Sequence, residues 1–231
     1  MSLEDLRDSI TVKCQQCGEE YDFKIYSLIN LQTDKDLYEP LFSLDIFKHK
    51  CEKCGHLNII QYDMMVVDSY KNYMIYLFGP ERMSIFKDNV NEYINKLKET
   101  SPEGWKVFNE SIKHTRVVNS INDLKEKLLI FDYDLNDKII ELVKRGLYEN
   151  KLVDEQEFPY MMFNTLERDN ISFICIGQDG EKSIKEVGVN INFYNKLVDE
   201  LGEPLKEFKE LDFPLIDKAW AKNLTNLTRN N

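Results

Sequence analysis

Four cysteines in two matching pairs constrain this chain more than any other feature. The stretch "VKCQQCGEEY" at 12–21 carries Cys14 and Cys17, and "HKCEKCGHLN" at 49–58 carries Cys51 and Cys54. The pattern is C-x2-C, 33 residues, then C-x2-C. Two intervening residues let both sulfurs of a pair reach one ion from a tight turn. Gly18 and Gly55, each following the second cysteine of its pair, can take the positive φ that turns backbone N–H groups toward sulfur. Four thiolates complete a tetrahedral shell with sulfur about 2.3 Å from zinc, and such a site is structural because no position is left for water. The spacer exceeds the roughly 15–20 residues of the usual four-cysteine template, so a helix-bearing insertion is expected between the pairs.

Other chemistries use the same residues. A redox dithiol of thioredoxin type opens a helix within a βαβ unit, whereas glycine and strand-like residues follow each pair here. Iron takes the same four sulfurs, and sequence alone does not separate it from zinc. Four unrelated core cysteines are the plainest alternative. Zinc, one ion per chain on Cys14, Cys17, Cys51 and Cys54, is the reading carried forward. Lys13, Lys50 and Lys53 flank the pairs; their ammonium groups would favour thiolates, or they are ordinary solvated lysines. His49 and His56 beside the second pair are expected to support the site or face solvent rather than to bind metal. Cys175, in "SFICIG", resembles a buried small hydrophobe.

Composition limits the partners. The net charge is −11, with 8 Lys/Arg against 13 Asp/Glu in residues 1–80 and 22 against 28 in the rest. Neither part offers the basic face that phosphate-backbone binding draws on, so nucleic acid is disfavoured. Aromatic residues are plentiful, unlike in disordered chains. "MSLEDLRDSI" lacks a signal-peptide core, and no apolar run approaches the ~18–20 residues of a membrane span. A cytoplasmic protein with no membrane partner, its thiols kept reduced, is expected.

The first eighty residues read as a β-rich unit. "ITVKC" and "YDFKIYSLIN" are strand candidates, and "LNIIQYDMMVVDSY" with "YMIYLF" forms a hairpin across "SYKN". Between them Leu37, Leu41, Leu44 and Phe47 fall near helical spacing, with Pro40 tolerable only in the first turn. "GPE" at 79–81 closes the unit. A helical stretch follows: an apolar stripe Phe86, Val90, Tyr93, Ile94, Leu97; a helix opened by Ser120-x-x-Asp123 as a capping box; and a third from about Asp134 with Leu135, Ile139, Val143 and Leu147 inward. Then "YMMFNTL", "ISFICIG" and "EKSIKEVGV" read as strands joined by "ERDN" and "QDG", and 191–201 returns to helical spacing before Gly202 and Pro204.

Little else suggests chemistry. The chain lacks a nucleophile elbow and a Gly-rich phosphate loop, and the third histidine, His114, is isolated. Asp132, Asp134 and Asp137 resemble magnesium ligands on paper, but a helix start with Asp134 as cap and Asp137 beside the dipole is simpler. Turns explain Asp63 and Asp68. The Met pairs 64–65 and 161–162 fill core, while "EFPYMMF", if exposed, would be a sticky patch.

The span from about Ile10 to Glu81 resembles the CpXC family of prokaryotic proteins, through "ITVKCQQCGEEYDFKIYSLINLQTDKDLYEPLF" and "FKHKCEKCGHLNIIQYDMMVVD". "TRVVNSINDLKEKLLIFDYDLNDKIIELVK" at 115–144 is similar to the segment that often follows. The resemblance implies two Cys-Pro-x-Cys-Gly knuckles separated by a strand and a helix. Gln15 and Glu52 stand where that pattern has proline; proline would preset φ but supplies no ligand. The resemblance implies a metal site and a fold, and no reaction.

The expectation is therefore an α+β chain. Residues 1–81 form a zinc-ribbon-like antiparallel β unit with an inserted helix, and 82–231 form a helical, then mixed α/β region. The zinc unit is expected to scaffold contact with another protein or a regulatory role, with no catalytic residues. A nucleic-acid-binding ribbon, or an enzyme whose site assembles in the C-terminal half, are the rival readings.

Overall fold

The computed structural model describes residues 9–78, 98–99, 102–206 and 214–229. The chain divides into two compact units, residues 1–125 with 211–213 and residues 126–210 with 214–231.

In the first unit, each cysteine pair is the loop of a small antiparallel hairpin. Strand β1 (Ser9–Lys13) pairs with β2 (Glu20–Lys24), closing on Lys13↔Glu20. Strand β4 (Lys48–Lys50) pairs with β5 (Leu57–Ile59), closing on Lys50↔Leu57. The run "YDFKIYSLIN" is thus not one strand. It breaks after Lys24 and resumes as β3 (Leu28–Asn30), which belongs to another sheet.

That second sheet has the order β3-β6-β7-β8, with β6 at Met64–Asp68, β7 at Tyr73–Leu77 and β8 at His114–Val118. Its central hairpin β6–β7 is antiparallel as expected, but β3 and β8 add to it in parallel. The mixed sheet follows from burial. Ile29, Met64, Val66, Tyr73, Met74, Ile75, Leu77, Val117 and Val118 are all buried, and near-continuous apolar strands are typical of parallel pairing. The turn at 69–72 is set by Asp68, which accepts the backbone N–H groups of Tyr70 and Lys71 at 2.9 Å. Asn72 completes it at φ 60°, a conformation asparagine tolerates.

The inserted helix is a single short α-turn, α1 (Tyr38–Phe42), flanked by 3₁₀ turns at Lys35–Leu37 and Asp45–Phe47. Leu37, Leu41 and Phe47 are buried as the spacing predicts. Leu44 instead sits at φ 62°, so the helical period stops there. Pro40 lies in the first turn of α1, where its missing N–H costs nothing. Helix α2 spans Pro102–Ser111; the stripe from Phe86 to Leu97 and the break at 79–81 lie outside the described residues.

Helix α3 (Ile121–Asp132) contains the division between the units. Ser120 opens it as predicted: its Oγ accepts the Asp123 N–H at 3.1 Å and donates to the Asp123 carboxylate at 2.7 Å. Helix α4 (Asp137–Glu149) starts one turn later than expected. Its cap is Asn136, whose side chain accepts the Lys138 N–H at 2.9 Å, while Asp134 sits at φ 55° outside the helix. The second unit adds a meander, β9 (Tyr160–Glu167), β10 (Asn170–Gly177) and β11 (Gly180–Asn190), with β10 central. Helix α5 (Ile191–Leu201) ends at Gly202 as predicted. Helix α6 (Lys218–Arg229) packs against α4. Cys175 on β10 is fully buried.

Candidate metal centre

The two hairpin loops are built alike. Cys14 N–H donates to Glu19 C=O at 2.8 Å and Gly18 N–H to Cys14 C=O at 2.9 Å. In the second loop Cys51 N–H donates to His56 C=O and Gly55 N–H to Cys51 C=O, both at 2.9 Å. Gly18 and Gly55 lie at φ 72° and 74°, where a Cβ would cost roughly 1–2 kcal/mol. Repeating this turn at a separation of 37 residues points four side chains toward one spot.

The four sulfurs all lie within 4.8 Å of one another. Cys14 Sγ stands 3.6 Å from Cys54 Sγ, and Cys17 Sγ 3.7 Å from Cys51 Sγ. A tetrahedron with metal–sulfur bonds of about 2.3 Å requires sulfurs about 3.8 Å apart. The spacing therefore suits a metal ion and is too long for disulfides, which need about 2 Å; all five cysteines are free. Both of these sulfur pairs join opposite hairpins, so the site needs both. Cys14 and Cys51 are buried while Cys17 and Cys54 are exposed. The cluster can hold a metal ion.

The thiols differ in acidity. Burial raises the Cys14 thiol, but the Cys17 and Gln16 N–H groups, Asn58 and Cys54 outweigh it and bring it down to about 6. At Cys54 the His56 N–H lowers the value, yet local desolvation and the three other sulfurs push it up to about 12. The neighbouring sulfurs thus oppose ionisation of Cys54, and a divalent cation would relieve that conflict.

The flanking residues take definite places. Lys53 bonds Glu19 across the two loops at 2.5 Å, and Lys13 pairs with Glu20 at 3.0 Å. The Glu19 carboxylate, with a smaller contribution from Cys17 and Cys51, raises the Lys53 ammonium pKa. His49 stacks on Tyr21 with ring centroids 3.7 Å apart, and neither it nor His56 belongs to the convergent group. Asn58, which the sequence reading passed over, is 2% exposed and bonds both loops. Its place, four residues after Cys54 on a strand whose neighbours point outward, is the only sequence signal it gives.

The CpXC protein family model matches residues 12–144, from the first cysteine loop into α4. The chain belongs to the CpXC family. No curated protein and no solved structure matches it. This CpXC chain keeps both Cys-x2-Cys-Gly loops with Gln15 and Glu52 inside them, and the loops close without proline.

A second polar cluster, absent from the sequence reading, is buried in the other unit. Lys144 Nζ lies 2.7 Å from Glu141, 3.0 Å from Glu126 and 3.1 Å from the Met161 carbonyl. Lys127 Nζ lies 3.0 Å from Asp137 and 3.7 Å from Glu141. Glu126 also accepts the Phe163 N–H at 2.5 Å. Burial raises the Glu141 pKa more than Lys144 and Lys127 lower it. Burial lowers Lys144, but Glu126 and Glu141 prevail and raise it. Asp137 thus does stand beside the α4 N-terminus, as an ion-paired core residue. Asp132 and Asp134 are not part of any convergent ligand group among the described residues. No described helix is long and apolar enough to cross a membrane.

Proposed function

We propose that the four cysteines bind one zinc ion as a closed structural site, and that the unit folded around it is a protein-binding, regulatory module. The convergence of four sulfurs at tetrahedral spacing carries this reading. An all-sulfur tetrahedral set selects zinc or iron, and zinc holds it without redox chemistry of its own. A full shell leaves no coordination site for water or substrate, so the metal acts through folding.

The choice of a protein partner rests on the surface beside the site. On β5, Asn58 points inward while Leu57 and Ile59 are 52% and 58% exposed, two large apolar side chains held next to the metal loop. The acidic chain, −11 overall, repels phosphate backbones. Capture from the source cell tests this reading. A partner should be retained by the intact protein and lost with Leu57→Glu/Ile59→Glu and with Cys51→Ser. Retention by all three forms, or a salt-sensitive shift of DNA or RNA by the intact protein, would contradict it.

A further inference from the structure

Asn58 is a buried side chain that bonds both cysteine loops. Its Oδ1 accepts the Gln15 N–H of the first loop at 2.9 Å. Its Nδ2 faces Cys14 Sγ at 3.6 Å, and the carbonyls of His56 and His49 at 3.3 and 3.5 Å. The two ends of the amide are fixed by these neighbours. Gln15 N–H can only donate, so it faces oxygen, and the two carbonyls can only accept, so they face nitrogen. His56 closes the second loop by accepting the Cys51 N–H, and Gln15 lies between the cysteines of the first. One amide therefore ties the first loop's backbone and a ligand sulfur to the second loop's frame.

The Gln15 bond has a further consequence. Proline at this position, as in a Cys-Pro-x-Cys loop, has no N–H to donate. The tie exists because residue 15 is not proline. It restrains the first loop through hydrogen bonds where a proline ring would restrain it through φ.

We infer that Asn58 is the positioning residue of the metal centre, docking the two loops in binding geometry and donating an N–H···S bond to the Cys14 thiolate. This rests on the metal reading above. Groups that hold metal ligands in place typically cost 10–100-fold in metal affinity when removed. An N–H···S bond also lowers the energy of the sulfur electrons, and that is visible spectroscopically.

The test uses the full chain loaded with Co2+ or with cadmium-113. For Asn58→Ala we expect at least 10-fold faster loss of Co2+ to a chelator than from the wild type. We also expect a red-shifted sulfur-to-cobalt charge-transfer band. A residue that only supports the fold would leave the band of the loaded protein in place. Should Asn58→Ala fail to fold, the wild type still decides. Scalar coupling between cadmium and the Asn58 side-chain amide protons reports the bond through sulfur. Unchanged chelator resistance with an unchanged band, or no such coupling, overturns the inference while leaving the metal site intact. A wild type that binds neither Co2+ nor Cd2+ overturns the metal reading and this inference with it.

Discussion

At the scale of single residues, backbone conformation and burial decide the largest effects. Gly18 and Gly55 hold the left-handed turns that aim the cysteines. No atom lies within 4 Å of an added Cβ at either position, so strain alone opposes a side chain. Gly18→Ala or Gly55→Ala should each cost about 1–2 kcal/mol of stability in chelator-challenged denaturant melts, and an unchanged midpoint would refute this. Lys144 is the opposite case, a charge sealed between Glu126 and Glu141. Lys144→Ala leaves Glu126 without this ion pair and Glu141 with only the longer one to Lys127, and should cost about 3–5 kcal/mol in urea unfolding. The same ion pairs set a pH dependence. The Lys144 pKa is raised above its ordinary value of 10.5, so its stabilisation is complete below that value and lost as pH rises through the folded-state pKa. Glu141, raised above 4.5 by burial, has the same sign in a lower window: its folded form gains as pH falls through the folded-state pKa toward 4.5. Melting of the Lys144→Met variant across pH 9–12 should therefore be flatter than that of the wild type, and parallel curves would contradict the assignment.

Among elements, whatever depends on local geometry was readable and whatever depends on pairing was not. The cysteine spacing announced two equal turns, and the structure contains them. Ser120-x-x-Asp123 announced the start of α3 because a capping box is a short-range hydrogen-bond pattern. The start of α4 was misplaced because Asp134 and Asn136 are both competent caps. The left-handed backbone at Asp134 takes that residue out of the helix and leaves the role to Asn136. Asn136→Ala should lower stability by about 1 kcal/mol and Asp134→Ala by far less; equal losses in thermal melts would reverse that assignment. Parallel addition of β3 and β8 had no local signature, since β-strand runs do not encode their neighbours. The ionic core was missed for a related reason. Asp137, Glu141 and Lys144 follow the same period as Ile139 and Val143, and charge at helical spacing normally marks a solvated face. Only the partners on α3, Glu126 and Lys127, make burial tolerable. Asn58 was invisible because its value lies in four contacts spread over 44 residues of chain.

Across the whole molecule, the four cysteines that can hold a metal ion all lie in the first of the two units. The hairpins β1–β2 and β4–β5 are each two-stranded sheets, and such sheets are marginal alone. Under the proposed function, ion binding by cysteines from both would supply what their small cores lack. The second unit has its own apolar core of Ile139, Val143, Leu147, Phe163 and Phe173, and the four clustered cysteines lie outside it. Chelation of the intact chain should therefore abolish amide protection in residues 10–24 and 48–60 while sparing α4 and β10. Uniform loss of protection across both units would contradict that division. Zinc binding by the four cysteines is tested by metal analysis of the purified, reduced protein. One zinc per chain is predicted, with Cys14, Cys17, Cys51 and Cys54 shielded from alkylation until the metal is removed. Protein purified without bound metal, with all four thiols reacting freely, would contradict it.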